Sequence, residues 1–171
     1  MNSQKRREAI VERIRKSEKP CSATSLANEF HVSRQIIVGD IALLRASGVT
    51  IIATPRGYVL DTQEVTGVIH TIAVSHQVNQ LGEELYTIVD YGGVIIDVIV
   101  EHPVYGQLSG QLHISSRYDA DRFLSLVKED HVKPLSNLTD GLHLHTIQCK
   151  DEEVYKKIIE ALDQRGFLYH E

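Results

Sequence analysis

The chain has little cysteine, no long apolar run and no apolar leader, and each of these lacks removes a class of protein. Its 171 residues include two cysteines. Cys21 and Cys149 stand far apart and form no paired motif, which argues against a disulfide framework and leaves each as a reduced, buried small residue. No apolar stretch approaches the roughly 18 residues that span a bilayer. The N-terminal MNSQKRREAIVERIRK holds no apolar signal core, so a cytoplasmic protein with no membrane partner is expected. There is no glycine-rich phosphate loop and no nucleophile with an adjacent base, which disfavours an enzyme. What is present is 42% hydrophobic and 24% charged residues, the balance of a folded chain rather than a disordered one. The length suits one ordinary domain or two small ones.

The net charge of −5 hides a division. Residues 1–60 carry ten Lys and Arg against five Asp and Glu, a balance of +5, whereas the remainder carries eight against eighteen, a balance of −10. Histidine divides the other way, with His31 alone in the first part and eight more after residue 60. Two domains, 1–61 and 62–171, follow, the first suited to a polyanion.

The basic segment reads as a helix-turn-helix. Gln4 to Lys16 alternates charge with Ala9, Ile10 and Ile14, a short amphipathic helix that Pro20 stops. Ser22 caps a second helix with Leu26 and Phe30 one turn apart on its buried face. Ser33 caps a third, in which Ile37, Ile41 and Leu44 recur at helical spacing and which Gly48 ends. Two helices joined so tightly leave the second free for a major groove. Val49 to Ala53 and Gly57 to Leu60 are β-rich runs separated by TPR, a hairpin wing with Arg56 near its tip. Ser33, Arg34, Gln35, Arg45 and Arg56 are the candidate contacts to double-stranded operator DNA, through base edges or phosphates; each taken singly also fits an ordinary solvated surface. Gly39 is a local misfit, about 1 kcal/mol worse than Ala within a helix. It permits close backbone approach, to DNA or to another helix.

The acidic segment reads as an α+β domain of order βαββαβαβ. Val65 to Val74 suits a strand, and Gln77 to Val89 has Leu81, Leu85 and Ile88 at helical spacing. Val94 to Val100 is a near-continuous apolar run, expected to be buried on both faces, and Gln107 to Ile114 returns as another strand. Ser116 and Asp119 open a helix with Phe123, Leu126 and Val127 inward. Leu142 to Cys149 is a strand, Glu152 to Gln164 a helix, and GFLY a short last strand.

Within this domain GLHLHTIQC, Gly141 to Cys149, places two histidines one residue apart. A metal site, a phosphate-handling site and ordinary strand residues are all compatible with that pair. On a strand His143 and His145 share a face, with Ile147 and Cys149 after them, while Leu142 and Leu144 fill the other. Two convergent imidazoles suit nickel, zinc, iron or copper better than magnesium or calcium. Spacing does not fix further ligands. His76 precedes Glu83 and Glu84 by seven and eight residues, and helical geometry favours Glu83, yet at ~1.5 Å rise either lies roughly 10 Å along the axis. Only a His76 folded back from the helix entrance could share an ion with it. EHPVYG, Glu101 to Gly106, fits a plain turn; alternatively His102 and Tyr105 line an effector pocket beside the metal.

SATSLANEFHVSRQIIVGDIALLRASGVTIIATPRGYVL resembles the winged-helix module of biotin-operon repressors and many bacterial regulators. GGVIIDVIVEHPVYGQL and GLHLHTIQCKDEE resemble the signatures of the three-histidine (3H) domain of NiaR-type repressors of NAD biosynthesis and niacin uptake. The resemblance spans nearly the whole chain. It implies an HPr-like arrangement of antiparallel sheet and helices in the second domain. It also implies a divalent transition metal (Ni, Zn or Fe) on His76, Glu84, His143 and His145, and nicotinic acid as co-repressor. A homodimer follows from the family and from the half-site reading of a single helix-turn-helix. Biotin-ligase activity is disfavoured, because the region after the wing is too short and lacks the ligase's glycine-arginine-rich loop. A metal-sensing regulator without an organic effector remains the alternative.

Overall fold

The computed structural model describes residues 2–61, 66–129 and 133–170, and the chain divides into two compact units, 1–64 and 65–171. The junction expected after residue 61 abuts residues 62–65, outside the described residues. The first unit is built on three helices, α1 (Ser3–Arg15), α2 (Ala23–Phe30) and α3 (Arg34–Ala46), followed by a hairpin of β1 (Ile51–Thr54) and β2 (Gly57–Leu60). Each helix starts on a side-chain cap: Asn2 accepts from the Lys5 amide, Ser22 from Ser25 and Ser33 from Ile36. Such caps satisfy amides that the first turn leaves without partners. Helix α2 closes on His31 in the left-handed region, which lets α3 leave at once. Ile10, Ile14, Leu26, Ile37, Ile41 and Leu44 close the core, while Phe30 is only half-buried at its edge.

The hairpin pairs from Ile51↔Leu60 to Thr54↔Gly57, so Val49 stays outside the strand that the β-rich run predicts and Thr54 joins it. The wing also leans on the α2 entrance, where Cys21 and Tyr58 exchange amide-to-carbonyl bonds of 2.9 and 2.8 Å. That approach explains Gly57, whose φ is 135°: a Cβ there would lie 2.5 Å from the Cys21 carbonyl carbon.

The second unit runs β3 (Val68–Ser75), α4 (Leu81–Asp90), β4 (Val94–His102), β5 (Gly106–Ile114), α5 (Arg117–Glu129), β6 (Leu142–Cys149) and α6 (Glu152–Gln164). Its sheet is antiparallel in the order β3-β6-β4-β5. This is an α+β architecture. Ile72, Val74, Ile95, Ile147 and Cys149 point into one core with Leu85 and Ile88 of α4 and Ile158 and Leu162 of α6. The opposite face is open, with Ile69 and Leu142 exposed. For that reason β4 is not buried on both faces as its apolar run implied: only Ile95 and Val100 are fully enclosed.

Three boundaries differ from the sequence expectation. Val65, where the sequence predicts the first regulatory strand to begin, lies outside the described residues, and β3 starts at Val68. The helix expected from Gln77 begins as a tighter 3-10 turn over Val78–Gln80, and α-geometry starts at Leu81. GFLY forms no strand; Leu168 makes a single bridge to Val74, and Phe167 is buried. The predicted cap of α5 is present, with the Asp119 amide donating to Ser116 Oγ at 3.1 Å.

Candidate functional site

Strand β6 alternates buried residues with exposed or half-buried ones, and its buried set is His143, His145, Ile147 and Cys149. The two imidazoles therefore enter the helix-covered core together. Both meet Glu84, the second glutamate of α4, which is wholly buried. His76 reaches the same carboxylate because the 3-10 turn after it folds the chain back, so the distance that continuous α-helix would impose does not arise. Glu83, favoured by helical spacing, points outward to Arg165 at 3.6 Å. His76 Nε2 contacts Glu84 Oε2, His143 Nε2 lies 3.3 Å from that same oxygen, and His145 Nε2 lies 2.8 Å from Oε1. Ligand atoms of His76, Glu84 and His143 all lie within 4.8 Å of one another.

The orientation of each ring is fixed from behind. His76 Nδ1 is 2.8 Å from the Gln77 carbonyl, His143 Nδ1 2.8 Å from that of Gly141, and His145 Nδ1 2.6 Å from that of Asp97. Carbonyls only accept, so each Nδ1 carries a hydrogen and each Nε2 faces the centre. The Glu84 carboxylate also only accepts. Glu84 Oε1 and His145 Nε2 are close but misaligned, and both are buried without a hydrogen bond. Burial opposes the charged forms here, yet the mutual attraction outweighs it. The carboxylate raises His76 and His145, and the three imidazoles hold Glu84 well below the usual carboxylate range. A buried, convergent set of three imidazole nitrogens and one carboxylate is chemically suited to a borderline divalent cation, and Glu84 Oε1 and His145 Nε2, buried without a hydrogen bond, fit such an ion.

Two supporting residues escaped the sequence reading. Gly141, with φ 97°, packs so closely on His76 that a Cβ would lie 2.3 Å from the His76 carbonyl oxygen. Its position directly before LHLH was the available signal. Asp97 sits where the β4 register shifts; its side chain accepts from the Thr146 amide at 2.9 Å while its carbonyl holds His145. No local sequence signal marks that pairing.

His102 ends β4 and Tyr105 lies in the turn that leads to β5. His102 Nδ1 accepts from the amides of Val104 and Tyr105, and Tyr105 is 73% exposed. Neither lines the cavity of about 20 Å³ against His143 and His145, which Leu81, Phe123, Leu135 and Ser136 help to wall. A wider groove of about 270 Å³ on the open sheet face, bordered by Ala73, Ile99, Leu142 and Leu144, also excludes them.

In the first unit Ser33 caps α3, and Arg34 and Gln35 are exposed at its first turn. Arg56 occupies the two-residue turn at the wing tip. Arg45 does not extend freely from the helix: its Nε donates to the Ile51 carbonyl at 2.8 Å and its guanidinium lies 5.9 Å from the Tyr58 ring centre. It fastens α3 to the wing. Asp40, buried on α3 and gripped by Arg6 of α1 at 2.6 Å, carries no signal in the sequence pattern.

A winged helix-turn-helix joined to an α+β domain with a buried three-histidine centre defines a DNA-binding transcriptional regulator rather than an enzyme. Residues 6–59 match the HTH domain family and residues 69–171 the 3H domain family. The chain is 45% identical over 168 residues to the probable transcription repressor NiaR of Thermotoga maritima, covering 98% of this chain and 95% of that protein. It is 39% identical over 166 residues to the transcription repressor NadR of Bacillus subtilis, covering 95% and 92%. The chain belongs to this NiaR/NadR family of 3H-domain transcription repressors. Among the described residues no helix is long and apolar enough to cross a membrane.

Proposed function

We propose that the chain represses genes of NAD biosynthesis or niacin uptake in response to nicotinic acid, binding operator DNA as a homodimer. In this reading His76, Glu84, His143 and His145 hold one divalent transition metal ion, nickel, zinc or iron. The observation that carries the metal is the convergence of three buried imidazole Nε2 atoms on the buried Glu84 carboxylate, with Glu84 Oε1 and His145 Nε2 making no hydrogen bond and each Nδ1 already engaged. A carbonyl behind each ring is the outer support that metal-bound histidines ordinarily have. The names of the two relatives support the repressor reading. A bound ion would supply a Lewis-acidic position to which a pyridine nitrogen or carboxylate can add. The protein's part is to present four ligands in a dry core and to exclude water. Nicotinate must favour the DNA-competent state, since equal affinity for both states shifts nothing.

The test varies nicotinate, nicotinamide and a chelator independently in footprints of the full chain on genomic DNA. Protection that strengthens with nicotinate, fails with nicotinamide and is lost to the chelator supports the reading; protection indifferent to nicotinate at saturating nickel sinks the effector assignment. Unchanged metal stoichiometry after joint His143→Ala and His145→Ala replacement sinks the metal assignment. Sedimentation of the full chain as a monomer on its operator removes the homodimer.

One observation favours a second reading, a metal-sensing regulator without an organic effector. The cavity against His143 and His145, about 20 Å³, has space for about one water rather than a pyridine ring. Operator affinity that tracks a nickel titration with no nicotinate present would select it.

A further inference from the structure

Helix α3 presents an outward stripe that its arginines do not occupy. Gln35, Gly39, Ala42 and Ala46 follow at intervals of four, three and four residues, and all four are exposed. That spacing places them on one line of the helix. It lies opposite Ile37, Asp40, Ile41 and Leu44, which are buried. Only Gln35 carries a polar group there. Ile36 and Leu43 form one shoulder of the stripe at 42% and 56% exposure, and Val38 stands on the other at 41%. Arg34 and Arg45 share the Val38 shoulder, and Arg45 is turned back to the wing.

A single exposed aliphatic side chain is ordinary, but three around a line of small residues on one short helix form a patch. Gly39 sharpens the point. A Cβ at Gly39 would meet nothing within 4 Å, and its φ is not among the positive ones. Neither backbone conformation nor internal packing requires glycine there, and it weakens the helix relative to alanine. The close approach it permits is therefore to something outside the unit.

We propose that this stripe is the base-reading surface of the repressor and that it recognises A·T pairs. The Gln35 amide pairs with the major-groove edge of an adenine, and thymine 5-methyl groups are received by Ile36, Leu43 and Val38. Gly39 and Ala42 let the helix backbone sit close to the groove floor. Three arguments favour DNA over a protein partner on this patch. The helix-turn-helix presents its second helix, N-terminal residues first, to base edges, and Gln35 stands in that first turn. Residues 1–60 carry a net +5 for the surrounding phosphates. The residue types match the groove code, in which a glutamine amide suits adenine and an apolar group suits the thymine methyl, whereas an arginine reader would select guanine. Arg34 then serves the phosphate backbone on the flank.

The inference rests on the operator-binding reading, and its test separates the two. Duplexes enriched from a random library by the full-length chain, with nickel and nicotinate present, are remade with deoxyuracil for thymine one position at a time, which removes only the methyl. The expected result is enriched A·T pairs at the helix-read positions and about fourfold weaker binding for each contacted methyl removed. Gln35→Ala should lose about tenfold in discrimination at one adenine while binding all sequences otherwise alike. Gly39→Ala should raise the melting temperature while weakening operator binding about tenfold, a combination that a purely structural role for Gly39 would not give. Enriched duplexes with guanine at those positions, uracil-indifferent binding, or Gly39→Ala binding with unchanged affinity would overturn the inference alone. A chain that enriches no duplex would overturn the repressor reading with it.

Discussion

Glu84→Gln separates the charge of the buried carboxylate from its volume. Glu84 is wholly buried among three imidazoles. Burial opposes charge on His76 and His145, yet the carboxylate raises both above their ordinary 6.5. Stability from those imidazoles is fully present below 6.5 and is lost as pH rises through their raised folded values. Glu84 is held below its ordinary 4.5 despite burial, so its contribution is present above 4.5 and is lost as pH falls through the depressed value. The metal-free domain is thus held best in mildly acidic solution between these limits. Removing one member of a buried ion pair there costs about 3 kcal/mol, which lowers the melting temperature of a domain of this size by roughly 12 °C or more. In alkaline solution the balance reverses. Three Nε2 lone pairs then face residue 84, where the amide NH2 of glutamine donates and a carboxylate only accepts. The deficit of the variant should shrink as pH rises above 6.5 and through the raised folded values of His76 and His145, where the imidazole contribution is lost. Scanning calorimetry of the full chain in chelator measures it, and a deficit of equal size on both sides of that range would refute the coupling. Nickel should restore less melting temperature to the variant than to the native chain, because an anionic ligand is gone.

Asp97→Ala removes the acceptor of the Thr146 amide and frees the carbonyl that orients His145; isothermal titration should show nickel affinity lower by about tenfold. Gly141→Ala strains a left-handed residue and drives a methyl into the His76 carbonyl; a loss above about 1 kcal/mol in urea unfolding is expected, with metal affinity falling alongside. Ser33→Ala removes the oxygen that accepts the Ile36 amide at 3.3 Å; the winged-helix unit should lose about 1 kcal/mol, and an unchanged unfolding midpoint would show the cap to be idle. Nickel uptake should release protons and should strengthen as pH rises, since a metal replaces them on the raised imidazoles; titration in buffers of different ionisation enthalpy measures the release.

The winged helix was legible because its signals are local. Caps at Ser22 and Ser33 and the Ile37, Ile41, Leu44 stripe act within a few residues, and the structure keeps them all. Strand alternation likewise put His143 and His145 on one buried face. What periodicity could not supply was anything set by a departure from regular geometry. The 3-10 turn after Gln77 is one residue-per-turn choice away from a helix, yet it decides that Glu84 rather than Glu83 meets His76. The face of β4 left open follows from where three helices settle, which no property of its own apolar run reveals. Arg45 looked like a free cation on a helix face, but the carbonyl that takes its Nε comes from the next element. The roles of Asp97 and Gly141 are likewise tertiary, since each depends on a strand or loop distant in sequence.

The three carbonyls behind the imidazoles belong to Gln77, Gly141 and Asp97, which lie on three separate stretches of backbone. None is a side chain that could swing to follow its histidine. The Gln77 and Gly141 carbonyls lie within two residues of the rings they hold and move with them, whereas a shift of the Asp97 stretch against β6 would turn the His145 ring alone. Were an ion held there, flexing of β4 against β6 at Asp97 would register as a change in how tightly it is gripped. By reciprocity, an ion held there would stiffen the pairing of those two strands.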